Sequence, residues 1–184
     1  MTPGYRAPDA EERARRVQII LMDVDGVLTD GSILLIPDGN DGVQEVKMFD
    51  VQDGVGITFA HRAGLRTGVI TGRTSPSVVA RAKELGMEVV RQGTHDKWKT
   101  YSEVRIALSL GDSQIAYIGD DLQDLPILRR VCLSVAVANA CEEVKQDCHI
   151  VTERAGGRGA VREAIDFILR AQGKWDQIVS RYRT

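Results

Sequence analysis

The 184-residue sequence predicts an α/β fold: a doubly wound parallel sheet with a β-hairpin inserted after the first strand. Three observations carry this reading. The apolar run Ile19-Ile20-Leu21-Met22 ends in Asp23 and Asp25 with Gly26 behind them, the pattern of a buried central strand that stops at a sharp turn. Two β-like runs, 33–37 and 43–49, flank the turn-forming Asp38-Gly39-Asn40-Asp41-Gly42, which reads as a hairpin. From Asp53 onward helical and strand patterns alternate, and strands separated by helices pair in parallel.

Residues 1–16 are polar, with Pro3, Gly4 and Pro8 before the charged run Glu11-Glu12-Arg13-Ala14-Arg15-Arg16; they are expected to form a mobile end or a short surface helix. The domain proper is expected over 17–172, with the hairpin insertion at 32–49 and a tail at 173–184. A helix is expected from Asp53 to Ala63, ended by Gly64, then a strand at 67–71. Pro76 to Leu85 reads as a helix with Val78, Val79, Ala82 and Leu85 on one face, followed by a strand at 87–90. Asp96 to Leu110 is the next helix and Ile115 to Ile118 the next strand. Asp121 to Arg130 is expected to be helical with Pro126 in its first turn. Strands at 133–137 and 149–151 and an amphipathic helix from Ala160 to Ala171 close the series.

Composition narrows the function. The chain is 43% apolar and 27% charged with a formal net charge of −2, an ordinary globular balance with no basic stripe to attract nucleic acid or an anionic membrane. No apolar run approaches the roughly 18 residues of a membrane span, and the N-terminus lacks a signal-peptide core, so a cytoplasmic location is expected. Cys132, Cys141 and Cys148 are odd in number and lack paired spacing, which points to reduced thiols rather than a disulfide or zinc site.

The chemistry lies at the strand ends. Side chains two apart in a strand share a side, so Asp23 and Asp25 would repel unless a cation lies beside them; a hard divalent ion, Mg2+, suits such oxygen ligands. Thr71-Gly72-Arg73 ends a second strand, Lys97 opens a helix, and Gly119-Asp120-Asp121 ends a third strand. In a doubly wound sheet these ends face one crevice. The set supports phosphoryl transfer: Asp23 as nucleophile, Asp25 as general acid and base, Mg2+ between Asp23 and Asp120, and Lys97, the Thr71 hydroxyl and the Gly72 N–H on the phosphoryl oxygens.

These residues resemble the haloacid dehalogenase superfamily of phosphatases, whose four motifs are matched in order by Asp23-Val24-Asp25-Gly26-Val27, Thr71, Lys97 and Gly119-Asp120-Asp121 with Asp124. The resemblance implies a Rossmann-like fold and a metal held by the Asp23 side chain, the Asp25 backbone carbonyl and Asp120. A narrower similarity is to the capless 3-deoxy-D-manno-octulosonate 8-phosphate phosphatase family, carried by Asp23 to Gly31, Ile70 to Arg73, Tyr117 to Asp121 and the glycine-rich Ala155 to Glu163. It implies that a sugar-acid phosphate is bound by Asp25, Asp50, Val51, Gln52, Asp53, Gly54, Thr71, Gly72, Arg73, Arg81, Lys97 and Arg158. It also implies a homotetramer whose hairpins form a central barrel, with a neighbour's tail, the segment after Gly156, near each active site.

Three positions, Asp50, Gln52 and Thr58, depart from that family. Asp50-Val51-Gln52-Asp53-Gly54 replaces its usual Asn-x-Arg-Asp-Gly, and Thr58 stands where it tends to carry Arg; two cationic groups are thus missing from the segment that holds the sugar acid. A nonulosonate 9-phosphate or a neutral sugar phosphate is therefore an alternative substrate. Outside hydrolysis, the same residue types also suit a receiver-like phospho-switch or a silent scaffold. A receiver's phosphorylated Asp stands alone on the third strand, and Met87-Glu88-Val89-Val90 offers none.

Overall fold

The computed structural model describes residues 1–39 and 42–183. Its strands are β1 (Ile19–Met22), β2 (Leu34–Pro37), β3 (Val43–Val46), β4 (Arg66–Ile70), β5 (Val89–Arg91), β6 (Ile115–Gly119), β7 (Leu133–Ala136) and β8 (Ile150–Val151). Hydrophobic burial on both faces makes β1 the axis of the fold: all four of its residues are buried, so it reads as continuous apolar rather than alternating. β1 pairs in parallel with β4 on one side and β6 on the other, Met22 lying opposite both Val69 and Ile118. The sheet order is β5-β4-β1-β6-β7-β8. Strand order reverses beside β1, which opens a crevice beyond the carboxyl ends of β1, β4 and β6.

Helices α1 (Ala10–Arg15), α2 (Val51–Arg62), α3 (Pro76–Glu84), α4 (Lys97–Ala107), α5 (Leu125–Leu128), α6 (Glu142–Asp147), α7 (Ala160–Ala171) and α8 (Trp175–Ser180) cover the sheet. Helix α7 lies over the expected residues because its apolar positions recur at helical spacing: Ala160, Val161, Ala164, Ile165, Ile168 and Leu169 are all buried. It packs on α2, whose Gly56 allows close approach; a Cβ there would meet Arg162 Cδ at 2.9 Å. Helix α2 starts at Val51 rather than Asp53 because the Asp50 carboxylate caps it, accepting from the Gln52 N–H at 2.6 Å.

Other expectations shift. The helix expected over 121–130 is a 3₁₀ turn at Leu122–Asp124 followed by α5; Asp124 is drawn inward and breaks the helix into two. The short helices α6 and α8 carry too few periodic residues to stand out in the sequence. The hairpin forms as β2 and β3, paired antiparallel with Leu34 opposite Val46; Asn40 and Asp41 of its expected turn lie outside the described residues. Of the two forms expected for the N-terminal segment, the short surface helix is present as α1, and the segment is docked: Ala10 and Ala14 are buried, and Gly4 and Ala7 donate to the Val151 and His149 carbonyls at 2.9 and 2.7 Å. It thereby covers part of the β8 edge, where unpaired strand backbone would otherwise face solvent. Among the described residues no helix is long and apolar enough to cross a membrane, and all three cysteines are free thiols.

Candidate active site

Asp23 follows the last residue of β1, and its N–H still donates to the Ile118 carbonyl at 3.0 Å, which fixes its backbone on the sheet. One carboxylate oxygen, Oδ1, accepts from the Val24 N–H at 2.7 Å, and Oδ2 accepts from Lys97 Nζ at 2.7 Å. Lys97 is the first residue of α4, which Asp96 caps by accepting from the Lys99 N–H at 2.9 Å. Burial of Lys97 (5% exposed) is tolerable because the ammonium meets a second carboxylate, Asp124 Oδ1, at 2.7 Å.

Asp124 is fully buried and saturated. Oδ1 takes the Lys97 ammonium and the Tyr117 hydroxyl (2.8 Å), while Oδ2 takes the N–H groups of Asp120 and Asp121 at 3.1 and 3.4 Å. It therefore shapes the loop after β6 and aims Asp120 at Asp23. Gly26 makes room: its φ is +83°, and a Cβ there would lie 2.0 Å from Asp120 Oδ2. Asn139 joins this loop to the glycine-rich segment, donating to the Gly26 carbonyl at 2.9 Å and accepting from the Gly156 N–H at 2.6 Å.

The local electrostatics follow from crowding acids in a partly dry site. Burial, then the neighbouring charges of Asp23 and Asp124, push the Asp120 carboxyl up to about 7. Asp23 is pushed up to about 6, first by burial, against the opposing pull of Lys97. Burial alone would depress Lys97, but Asp124 and Asp23 hold it above the ordinary lysine value. These groups open into a cleft of about 390 Å³ lined also by Asp25, Thr71, Gly72 and Arg73.

A family model of haloacid dehalogenase-like hydrolases matches residues 69–165. The 3-deoxy-D-manno-octulosonate 8-phosphate phosphatase KdsC of Yersinia pestis is 44% identical over 171 residues, 93% of this chain and 89% of that protein. Among solved structures, a probable YrbI family phosphatase from Pseudomonas syringae superposes with a TM-score of 0.92 at 41% identity, covering 97% of this chain and 99% of that one. The Moraxella catarrhalis 3-deoxy-D-manno-octulosonate 8-phosphate phosphatase, in complex with magnesium, phosphate and the sugar acid KDO, gives 0.90 at 37% identity, covering 95% and 98%. The chain belongs to the 3-deoxy-D-manno-octulosonate 8-phosphate phosphatase family of haloacid dehalogenase-like hydrolases. It is a phosphatase.

The donor set of this phosphatase fits a hard divalent cation. Oxygens of Asp23, Asp120 and Asp124 lie within 4.8 Å of one another, and Asp120 Oδ1 is buried with no hydrogen-bond partner. Such an atom is costly unless something positive meets it. Because Asp124 already accepts from four donors, Asp23 and Asp120 are the side chains that would hold such a cation.

Of the residues singled out from the sequence, Asp23, Asp25, Thr71, Gly72, Arg73, Lys97 and Asp120 share the cleft, and the others lie elsewhere in the chain. Asp50 caps α2, and Val51 is exposed. Asp53 is 1% exposed and points away from the cleft: it accepts from the Gly159 and Arg162 N–H groups at 3.3 and 2.8 Å, capping α7, whose own N-cap Gly159 has no side chain. Gly54 gives space to Arg81, which pairs with Glu84 at 2.9 Å and lies over the Phe49 ring. Arg158 pairs with Asp30 of its own chain at 3.3 Å, and Gly157 donates to the Val27 carbonyl at 2.9 Å, so the glycine-rich segment completes its own chain's first loop. Gln52 is not among the residues lining the cleft; its Oε1 accepts from Arg154 at 2.6 Å.

Sequence reasoning missed four contributors. Asp124 was visible as the last member of its motif but carried no assigned role, and Asn139 had no motif at all. Glu45 and Lys47 come from the hairpin. Lys47 Nζ contacts Asp25 Oδ1, and Glu45 pairs with both Lys47 and Arg73; only the folding of the insertion over the β1 loop brings them there. His95 also lines the cleft wall.

Proposed function

We propose that this chain is a Mg2+-dependent phosphatase that hydrolyses 3-deoxy-D-manno-octulosonate 8-phosphate through an aspartyl-phosphate on Asp23. The observation that carries the mechanism is Asp23 at the end of β1 with Lys97 at 2.7 Å and an orphaned Asp120 oxygen beside it. Asp23, the Asp25 carbonyl and Asp120 would hold the cation, which supplies positive charge where an anionic nucleophile must approach an anionic phosphoryl group. An Asp23 carboxylate oxygen attacks phosphorus as the bond to the sugar oxygen breaks. Asp25 gives its proton to that leaving oxygen, then accepts one from the water that cleaves the acyl phosphate. Lys97, the Thr71 hydroxyl and the Gly72 N–H meet the charge on the equatorial oxygens.

Arg73 faces the cleft with a planar fork suited to a sugar carboxylate, which supports a sugar acid over a neutral sugar. Exposed apolar side chains along the hairpin support the homotetramer: Ile33, Leu34, Leu35 and Ile36 are 46–57% exposed. Similarity to KdsC supports a cytoplasmic enzyme.

The test is phosphate release with Mg2+ from this octulosonate phosphate, nonulosonate 9-phosphates and neutral sugar phosphates, ranked by kcat/KM. A preference of orders of magnitude for the octulosonate phosphate is expected. Equal turnover of neutral sugar phosphates would refute the substrate assignment. Asp23→Asn should retain the fold by circular dichroism and lose about 10⁴-fold or more in kcat; near-native turnover in that variant would refute the nucleophile.

A further inference from the structure

The hairpin places a closed ring of four charges at the mouth of the cleft. Lys47, whose side chain is 2% exposed, contacts Asp25 Oδ1 and lies 3.1 Å from Glu45 Oε1. The other Glu45 oxygen accepts from Arg73 Nη2, and Arg73 Nε lies 4.0 Å from Asp25 Oδ2. The ring leaves Asp25, the group that must handle protons, steadied by Lys47. It also leaves Arg73, the guanidinium that faces the cleft, already occupied by a carboxylate of the protein. Arg73, first, and then Lys47 hold the Glu45 carboxyl below its ordinary range, against the opposing effect of burial, so Glu45 is a charged competitor at neutral pH.

We propose that Glu45 is a tethered competitor for the sugar carboxylate: it occupies Arg73 in the free enzyme, steps aside when a sugar acid binds, and returns to expel the dephosphorylated product. The inference rests on the reading that Arg73 receives that carboxylate. Its logic is energetic. The carboxylate is remote from phosphorus and is the same in substrate, transition state and product, so a full-strength Arg73 bond would tighten all three alike and add nothing to the chemical step. It would, however, retain the product, which keeps its carboxylate after phosphate has gone. An internal carboxylate on the same fork turns that bond into an exchange of one ion pair for another, with little net gain in affinity. The hairpin is suited to this task because Glu45 is anchored in β3 while its side chain alone has to move.

The experiment measures inhibition by free 3-deoxy-D-manno-octulosonate and, separately, by inorganic phosphate, in the intact Mg2+-loaded enzyme and in Glu45→Gln and Glu45→Asp. Gln removes the charge; Asp keeps it but shortens its reach, which guards against a folding defect peculiar to one variant. Both should lower the inhibition constant of the sugar acid by about three- to tenfold relative to that of phosphate, with a parallel fall in KM for the sugar-acid phosphate. A sugar-acid constant that is unchanged or raised relative to phosphate in both variants would overturn the proposal and make Glu45 a structural or substrate-binding residue. Failure of the underlying reading looks different: the unaltered enzyme would then show no inhibition by the sugar acid beyond that of a neutral sugar.

Discussion

At the scale of single residues, the site contrasts carboxylates of one chemical type in several roles. Asp124 has both oxygens filled by four donors and is fully buried, Asp120 has a buried oxygen that meets nothing, and Asp25 is held by a hairpin lysine. Their surroundings, not their chemistry, separate Asp124 as an organiser from Asp120 and Asp25, proposed here as metal ligand and acid. Asp124→Asn should expose this difference. The amide would turn an NH₂ toward groups that donate, and Lys97 would lose half of its charge pairing. We expect a loss of about 3 kcal/mol in urea unfolding and a weaker Mg2+ isotherm by calorimetry. Unfolding and metal affinity both within error of the unaltered protein would show that Asp124 does not hold the loop.

At the scale of elements, α2 and α7 are locked by a carboxyl group rather than by apolar contact alone. Asp53 supplies the cap that Gly159 cannot, and it does so from a buried position. Burial, opposed by the Arg162 and Gly159 N–H groups, pushes its carboxyl up to about 6 from the ordinary 3.8. A carboxyl that is harder to ionise when folded favours folding in its protonated form. Its contribution is therefore complete below about pH 4 and is lost as the pH rises through about 6. In Asp53→Asn, which cannot ionise, stability relative to the unaltered protein should rise by on the order of 2 kcal/mol between pH 4 and pH 7, as measured by urea unfolding in Mg2+. Parallel pH profiles for the two proteins would mean that Asp53 titrates in the fold as it does in the unfolded chain.

At the scale of the whole molecule, a metal bound in the crevice would be coupled to the fold, because the carboxylates that crowd it are positioned by the loops after β1 and β6. A ligand that binds only the folded chain stabilises it by about 2.7 kcal/mol at a hundred times its dissociation constant, which for a protein of this size is about 6–10 °C in Tm. EDTA should lower Tm by that amount and abolish phosphate release, and excess Mg2+ should restore both. Full activity in EDTA would refute metal assistance.

Much of this protein was legible in its sequence because the features concerned are local. The buried run of β1 with Asp23 and Asp25 at its end, the span of α7 and the strand-end positions of Thr71 and Asp120 each follow from residue types within a few positions of one another. The family resemblance has the same origin, since its motifs are short. Tertiary structure decided what depends on separation along the chain. Lys97 reaches Asp23 across 74 residues, Asp53 reaches α7 across 109, and Glu45 reaches Arg73 across 28. No period or turn signal encodes such pairs, because they arise from strand order and from which loops the sheet brings to one edge. That is why Asp53 and Gly54, which the family resemblance implies as substrate contacts, are not among the residues lining the cleft, why the role of Asp124 was not legible in its motif, and why Asn139 and the hairpin charges emerged only with the fold. Sequence determined which groups the protein possesses; burial and proximity, which are properties of the folded chain alone, decided what each carboxylate can do.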